Sequence, residues 1–299
     1  MKTESTQIGN TKVLKLIDTQ EKNDVFKHMQ HMWDPKKVNE FPGPQPISIE
    51  RRHFQELLSR EYYASNKTDG ERFVVCMTKY MDQYISFILS RNLDIFLFKS
   101  TCTKNAYNGT IIDCELIGDN FQVFDCILWG GSNVKTSGFS ERLSACETVC
   151  SYIKDSNFNF KVKKFVPLAQ SAELASETFK SDGYIFMPEN KPIMQGTHSS
   201  LFKWKPLYSN TIDFGVQNGK VYLQNSGKLI AVNISLDTKD ITFNTDDLVI
   251  VESSFIKQKH WKALHIRSDK NLPNSHYTYK KTLINIDENI QVDEIFNLQ

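Results

Sequence analysis

Apolar side chains in this sequence occur mostly in short runs rich in β-branched and aromatic residues, which is the pattern of β-strands. Several of these runs carry isolated charged residues at alternate positions, so that the charges of one strand share a face. We therefore predict antiparallel sheets. The predicted strands comprise residues 73–77, 84–89, 93–98, 109–117, 121–128 and 181–187.

Fewer segments place apolar residues three or four positions apart, as one face of a helix requires. Ser140 is the predicted N-cap of one of them. Together with the strands, these segments predict an α+β protein. The predicted helices comprise residues 21–33, 49–61, 140–153, 170–179 and 282–299.

The hydrophobic pattern changes after Phe214. From there the chain consists of short strand-like runs, with turn signals at Asn218-Gly219 and Ser226-Gly227, which suits a small barrel. A chain of 299 residues can bury the cores of two domains. We predict one domain at residues 1–215 and a second at residues 216–299, the latter closed by a C-terminal helix.

Composition narrows the class of protein. The chain has 36 basic and 35 acidic residues and a net charge of +1, so any contact with RNA must be local. Its six cysteines lack the spacing of a zinc site and the density of a secreted scaffold, which predicts reduced, mostly buried thiols. No apolar run has the length of a membrane span, and the N-terminus lacks the apolar stretch of a signal peptide. We expect an intracellular protein with no membrane partner.

Residues 67–72 read Lys-Thr-Asp-Gly-Glu-Arg and place a candidate nucleophile, Lys67, beside a carboxylate, a glycine turn and an arginine. Lysine is a poor nucleophile while protonated, so such a site must supply positive charge or burial that favours the neutral amine. Asp69-Gly70 suits a tight turn, and Arg72 offers a planar set of donors for a sugar or a phosphate. Alone, the hexapeptide is also consistent with a solvated hairpin turn.

Other charged and aromatic positions interrupt apolar strands further along the chain. Asp113 and Glu115 share a face of their strand, and Lys203 and Lys205, if both lie in one strand, point into one cavity. Any one of these positions suits a half-exposed strand, but a series of six such motifs does not. The remaining positions are Phe124, Asp182, Arg267, Asp269 and Lys270.

Together these motifs resemble those of the covalent nucleotidyltransferases, which include mRNA capping guanylyltransferases and ATP- or NAD-dependent polynucleotide ligases. The resemblance is to the capping enzymes, in the lysine strand and the segment after it (residues 203–206 and 211–214) and in the spacing R-x-D-K-x-x-P-N (residues 267–274). Residues 41–48 look like a capping-enzyme segment, F-P-G-x-Q-P-V-S, that ligases lack. One departure is Cys114, where the family usually has glycine.

The resemblance implies a ligase-like nucleotidyltransferase domain joined to a C-terminal OB-fold domain, with the nucleotide held in the cleft between them. It also implies that Lys67 attacks the α-phosphate of GTP and forms a lysyl-GMP intermediate. A 5′-diphosphate RNA end then takes the GMP as its cap. Catalysis of this type needs positioned cations, because charge spreads over the phosphoryl oxygens at the transition state.

Site residues follow from the same resemblance. A divalent ion, Mg²⁺ or Mn²⁺, is expected with Asp182 as its first ligand and Glu115 either assisting or holding the ribose. Arg72 is assigned to the ribose hydroxyls and Phe124 to stacking on guanine.

The remaining assignments concern the phosphates and the base. Lys203 and Lys205 are assigned to the phosphoryl oxygens. Lys164 is assigned to the guanine carbonyl, although its spacing leaves its neighbour Lys163 open. Asp213 matches a recurrent family position, among the substrate-binding residues, without a role that follows from its chemistry. The residues expected to reach the β- and γ-phosphates when the cleft closes are Arg267, Asp269 and Lys270.

Two other functions remain open at this point. An ATP-dependent polynucleotide ligase shares Lys67, Glu115, Asp182 and the lysine strand, whereas a non-catalytic RNA-binding scaffold needs none of them. As a capping enzyme, the chain is expected to act with RNA triphosphatase and cap methyltransferase domains or subunits. Its Lys-, Asn- and Ile-rich composition suggests a large DNA virus, in host cytoplasm or virion, while a cellular enzyme is expected in the nucleus.

Overall fold

The computed structural model describes residues 1–34, 40–154, 156–176, 181–244, 246–268 and 270–298. They form two compact units. The first consists of Met1–Ile47 and Glu56–Lys203, and the second of Ser48–Gln55 and Trp204–Gln299. The predicted boundary near residue 215 lies farther along the chain than this division, and it stays a prediction.

Secondary structure in the described residues is dominated by β-strands. The α-helices are α1 (Thr19–Trp33), α2 (Phe54–Ser59), α3 (Phe139–Tyr152), α4 (His276–Glu288) and α5 (Val292–Phe296). The strands are β1 (Thr3–Ile8), β2 (Thr11–Leu16), β3 (Pro44–Ser48), β4 (Tyr62–Thr68), β5 (Glu71–Tyr80), β6 (Gln83–Ser90), β7 (Ile95–Leu97), β8 (Thr110–Ile117), β9 (Asn120–Trp129), β10 (Ser132–Asn133), β11 (Asn159–Val162), β12 (Val166–Pro167), β13 (Ser181–Pro188), β14 (Gly196–Trp204), β15 (Thr211–Gln217), β16 (Lys220–Asn225), β17 (Lys228–Val232), β18 (Ser235–Asp237), β19 (Val249–Lys257) and β20 (His260–Ile266).

The larger sheet of the first unit has the order β1-β2-β7-β6-β5-β8-β9-β10, with β11 parallel to β9. Both of its faces are covered. Phe73, Val75 and Met77 of β5 enter a core that includes residues of α3, whereas Val74 and Cys76 enter a core with α1. Because alternate residues of a strand point to opposite faces, burial on both sides explains why residues 73–77 of β5 are all apolar.

A second sheet, of order β12-β4-β13-β14-β3, carries β4 and β13 side by side. Phe139 of α3 packs with Met187 and Leu201 of this sheet. The second unit has a six-stranded sheet of order β17-β16-β15-β19-β20-β18. Its core surrounds Trp261, which is fully buried and contacts Phe214. Sheet pairing is therefore mainly antiparallel, and the predicted α+β class is confirmed.

Helix α1 and helix α3 occur close to where the sequence predicts them, but three predicted helices differ. The segment 49–61 forms a 3₁₀ turn and the short α2, and the closing helix is divided into α4 and α5. The segment 170–179 is a 3₁₀ helix through residue 176, and its last residues lie outside the described part of the chain. Ser140 is not an N-cap: its backbone N–H and hydroxyl both donate to Glu189.

The hairpins predicted after Phe214 are present. Asn218-Gly219 and Ser226-Gly227 connect β15 to β16 and β16 to β17, and all four residues have positive φ, as tight hairpin turns require. All six cysteines are free, and four are buried, as predicted. Among the described residues, no helix is long and apolar enough to span a membrane.

A fully buried ion pair joins α3 to β9. Arg142 Nε lies 2.7 Å from Asp125 Oδ1, and each side chain is 1% exposed. The Arg142 Nη1 group also donates to the carbonyls of Ser137 and Lys191, at 2.7 and 3.2 Å. The pair thus fixes the helix and the loops beside it to the strand that carries Phe124.

We predict that Arg142→Met lowers the free energy of unfolding by about 3–5 kcal/mol, because it leaves a buried carboxylate without its counter-charge. The matched control is Arg60→Met, which removes an exposed pair with Glu56 and should cost at most about 0.5 kcal/mol. Urea unfolding measures both values. Equal losses in the two variants would contradict a special role for the buried pair.

Candidate active site

A cavity of about 310 Å³ in the first unit is lined by five of the residues assigned from the sequence. We call it the lysine cavity. Its wall also includes residues that the sequence left without a role, among them Gln45, Arg91 and Ile185. The assigned residues on its wall are Lys67, Arg72, Glu115, Phe124 and Lys203.

Lys67 lies near the end of β4, opposite an irregularity in β13. Ser181 pairs with Thr68 and Tyr184 pairs with Asn66, so β13 has an additional residue at this point. Gly183 has φ +148°, a value that favours glycine. Bulges of this kind redirect side chains, and here Lys67 Nζ donates to Asp182 Oδ1 at 2.7 Å. The predicted nucleophile and the predicted metal ligand are therefore in contact.

Glu115 organises the turn that follows Lys67. Its carboxylate accepts hydrogen bonds from Thr68 Oγ1 and from the backbone N–H of Gly70, the latter at 3.3 Å. Lys163 Nζ donates to the same carboxylate at 3.1 Å and to Thr68 Oγ1 at 2.8 Å. Glu115 thus connects β8, the turn after Lys67 and the residue that follows β11.

Lys163 and Lys164 have different environments, which bears on the choice the sequence left open. Lys163 is buried and lines the lysine cavity. Lys164 is exposed, does not belong to that wall, and donates to the carbonyl of Glu173 at 3.0 Å. Of the two lysines, Lys163 therefore lies on the wall of the lysine cavity, and the assigned Lys164 does not.

Arg72 makes several contacts within the protein. Its Nε and Nη2 groups donate to the two oxygens of Asp113, the Nε bond at 2.9 Å, and Nη1 donates to the carbonyl of Pro44 at 2.6 Å. Burial lowers the pKa of Arg72, but the attraction of Asp113 outweighs it, so that the pKa is raised. A Cβ at Gly43 would overlap this guanidinium, which explains the glycine there. Arg72 therefore holds residues 43–44 against the cavity wall.

The direction of the Phe124 side chain is set by another irregularity, in the pairing of β8 with β9. Asp113 pairs with Asp125 and Cys114 with Val123, which leaves Phe124 as the additional residue. Its ring centroid lies 5.3 Å from the Arg72 guanidinium, a cation–π distance. With the apolar side chains of Ile185, Met187 and Leu201 on the same cavity wall, the ring provides an apolar region suited to a planar base.

The predicted lysine pair is only partly brought together. Strand β14 ends at Trp204, so Lys203 lies in the strand and lines the cavity, while Lys205 follows its end. The condition that both lysines lie in one strand is not met, because β14 ends one residue before Lys205. Lys205 belongs to the second unit, in which Trp204 Nε1 donates to the carbonyl of Ile290 at 2.8 Å.

In the second unit, Arg267 and Lys270 surround a buried carboxylate. Asp213 is 6% exposed and forms ion pairs with Lys270 and, at 3.3 Å, with Arg267. Arg267 also pairs with Glu252 at 3.2 Å. Asp213 therefore positions two of the predicted phosphate-binding cations. The third residue of that prediction, Asp269, lies outside the described residues.

A divalent ion would find few protein ligands here. Within the described part of the chain, no three His, Cys, Asp or Glu side chains form a group that could hold a metal. Mg²⁺ commonly uses one or two carboxylates and completes its coordination with water and substrate phosphates. Asp182 and Glu115 fit that requirement, and a dedicated all-protein metal cage does not.

Residues 8–207 match the family described as mRNA capping enzyme, catalytic domain, and residues 216–296 match mRNA capping enzyme, C-terminal domain. The chain is similar to the mRNA-capping enzyme subunit alpha of Schizosaccharomyces pombe, with 23% identity over 85% of this chain and 79% of that protein. It is 30% identical to the Kluyveromyces lactis subunit over 60% of this chain.

The chain spans about half the length of the Kluyveromyces relative, 47% of it. Among solved structures, a mycobacterial DNA ligase D complexed with ATP and MES aligns with a TM-score of 0.43 and 14% identity, over 78% of this chain and 96% of that one. The family match covers well over half of the sequence and includes every residue of the lysine cavity. The chain belongs to the mRNA capping enzyme family and carries its catalytic and C-terminal domains.

Proposed function

We propose that the protein is an mRNA guanylyltransferase that transfers GMP from GTP to the 5′-diphosphate end of RNA. The observation that carries the proposal is the position of Lys67 on the wall of the lysine cavity, where its Nζ atom contacts Asp182. A second cation, Lys203, and an aromatic ring, Phe124, line the same cavity. Family membership favours GTP over the ATP of a ligase.

In the first half-reaction the neutral Lys67 amine attacks the α-phosphorus of GTP. The Nζ–P bond forms, the bond between the α-phosphorus and the bridging oxygen breaks, pyrophosphate leaves, and Nζ loses one proton to the solvent. Asp182 orients Nζ through the 2.7 Å hydrogen bond. Lys203 supplies positive charge for the phosphoryl oxygens, which carry more charge at the transition state than in GTP.

The base and ribose would occupy the rest of the lysine cavity. We place guanine on Phe124, with Lys163 as the donor to its carbonyl oxygen. The guanidinium of Arg72 has five N–H donors, and Asp113 and Pro44 account for three of them. A contact with a ribose hydroxyl is therefore compatible with the structural role of Arg72.

Mg²⁺ or Mn²⁺ would be held by Asp182, with Glu115 as the second candidate, and would supply electrostatic stabilisation of the phosphates. In the second half-reaction an oxygen of the RNA β-phosphate attacks the phosphorus of lysyl-GMP. The Nζ–P bond breaks, and the Lys67 amine takes up a proton. An RNA triphosphatase must produce the diphosphate acceptor, and a cap methyltransferase is the expected consumer of the product.

We expect the protein to form a covalent adduct with labelled GTP and Mg²⁺ or Mn²⁺, stable in alkali and labile in acid as a phosphoramidate is. Lys67→Ala should abolish it, because the variant lacks the amine that attacks the α-phosphorus. Gel electrophoresis after denaturation measures the label. Equal labelling from ATP, or label retained in the variant, would contradict the proposal.

Substitutions of the adjacent Lys163 and Lys164 form a matched pair of variants that tests the proposed contact with the base. Lys163→Ala should slow adduct formation about tenfold to a hundredfold, since a hydrogen bond to a charged group contributes about 1.5–3 kcal/mol. Lys164→Ala removes the same charge from the exposed neighbour and should leave the rate near that of the unaltered protein. Single-turnover labelling compares them, and the reverse order would restore Lys164 as the base contact.

The variant Arg267→Ala tests whether the second unit takes part in adduct formation. We propose that Arg267 acts on the β- and γ-phosphates, so its loss should slow adduct formation about a hundredfold to a thousandfold. GMP transfer from enzyme already carrying the adduct should be spared, because no pyrophosphate group remains. His265→Gln, which removes another partner of Glu252, is the structural control. Equal impairment of both half-reactions would show that Arg267 serves folding or RNA binding.

A further inference from the structure

Residues 41–44, the first part of the segment that looks like a capping-enzyme segment, meet at the guanidinium of Arg72. The ring centroid of Phe41 lies 5.4 Å from it, a cation–π distance. The carbonyl of Pro44 accepts from Nη1 at 2.6 Å, and Gly43 passes so close that a Cβ there would overlap the guanidinium. Three of these four successive residues therefore contact one side chain.

The aromatic ring of Phe41 is itself held by the first unit. It is half-buried and packs against the core that the larger sheet forms with α1. The backbone beside it is fixed as well, because Gln195 Nε2 donates to the carbonyl of Glu40 at 3.3 Å. Among the described residues, Arg72 and Pro44 line the lysine cavity and Phe41 does not. We therefore expect Phe41 to act on a bound nucleotide through Arg72.

Arg72 retains two donors for a ligand. A guanidinium has five N–H groups. Asp113 accepts from Nε and Nη2, and the carbonyl of Pro44 accepts from Nη1. One N–H group is left on each terminal nitrogen, and the two lie in one plane because the guanidinium is planar. Two coplanar donors match the two neighbouring hydroxyl oxygens of a ribose.

The direction of these two donors depends on how the guanidinium plane is held. Hydrogen bonds from the N–H groups run along the plane, so those to Asp113 and Pro44 resist displacement within it. An aromatic ring that contacts the guanidinium resists tilting of the plane. The rings of Phe41 and Phe124 lie 5.4 and 5.3 Å from the guanidinium of Arg72. Phe124 is also the proposed surface for guanine, so only Phe41 can be altered without removing the contact with the base.

We propose that Phe41 is a positioning residue for the sugar of GTP. Its ring holds the Arg72 guanidinium in the orientation in which the two remaining N–H groups donate to the 2′- and 3′-hydroxyls of the ribose. The inference rests on the proposed guanylyl transfer and gives residues 41–44 a role in the selection of a ribonucleotide. Phe41 acts through Arg72 and does not touch the reacting atoms.

The test measures adduct formation from GTP and from 2′,3′-dideoxy-GTP, which lacks both sugar hydroxyls. Phe41→Leu keeps an apolar side chain for the core but removes the ring. The KM for GTP should rise about fivefold to tenfold, the effect of losing one cation–π contact of a partly buried arginine. The rate at saturation should stay within about twofold, because no transition-state contact is removed. The KM for dideoxy-GTP should not change, since that substrate lacks the hydroxyls that Arg72 binds.

Two further variants separate orientation of Arg72 from loss of packing. Phe41→Tyr keeps the aromatic face and should restore the KM for GTP. Phe54→Leu is the matched control, because Phe54 is also half-buried and its ring lies 5.9 Å from the guanidinium of Arg51, in the second unit. Its loss should leave the KM values of both substrates unchanged.

A double-mutant cycle tests whether the effect passes through Arg72. Arg72→Lys keeps a positive charge for Asp113 but lacks the pair of coplanar donors. In this background, Phe41→Leu should cause no further rise in the KM for GTP, because the two substitutions remove the same contact.

Each other result overturns the proposal in a distinct way. Equal rises in the KM for GTP and dideoxy-GTP would show that Phe41 shapes the cavity and does not serve sugar recognition. Additive losses in the double variant would place Phe41 against the nucleotide itself, and unchanged KM values in Phe41→Leu would remove it from substrate binding. Equal use of GTP and dideoxy-GTP by the unaltered protein would leave no sugar contact for Phe41 to support. Failure of the proposed function looks different, since the unaltered protein would then form no adduct with GTP.

Discussion

The Arg72–Asp113 pair is the interaction on which the candidate active site depends. It connects β5 to β8, and through the carbonyl of Pro44 it holds the segment that forms one wall of the lysine cavity. Removing one partner of a buried pair typically costs about 3–5 kcal/mol, because the remaining charge stays buried without compensation. The same guanidinium lies over the ring of Phe124, so this ring and the segment at Pro44 are both held by Arg72.

Much of the site could be predicted because its chemistry requires particular residue types within strands. Lys67, Glu115 and Asp182 were selected from the series of motifs that resembles the family, and the structure places Lys67 and Glu115 on the wall of one cavity, with Asp182 bound to Lys67. The spacing of residues in the sequence could not decide which of Lys163 and Lys164 lines the cavity. The answer depends on where β11 ends and on its parallel pairing with β9, since Lys163 N–H donates to the carbonyl of Val123 at 2.8 Å. Arg91 carried no signal except its position after a predicted strand.

Some features of the fold are determined by neighbouring residues and could be predicted, whereas others depend on contacts between residues that are far apart in the sequence. Hairpin turns such as Asn218-Gly219 are encoded by two residues, and they were predicted. The segment Ser48–Gln55 could not be assigned to the second unit from its own sequence. It belongs there through distant partners: Asn285 donates to the carbonyl of Ile49 at 2.7 Å, Lys281 pairs with Glu50 at 2.8 Å, and Arg51 pairs with Glu294 at 2.6 Å.

The pairing of β8 with β9 has a consequence for how substitutions combine. Asp113 and Asp125 are register partners, so two fully buried carboxylates face each other across the sheet, one bound to Arg72 and the other to Arg142. Asp125 also raises the pKa of both Asp113 and Arg72. The two ion pairs together are electrically neutral, and Asp125 acts on both members of the pair beside it. Their contributions to stability are therefore coupled and not additive, so that a substitution in one pair changes the cost of a substitution in the other.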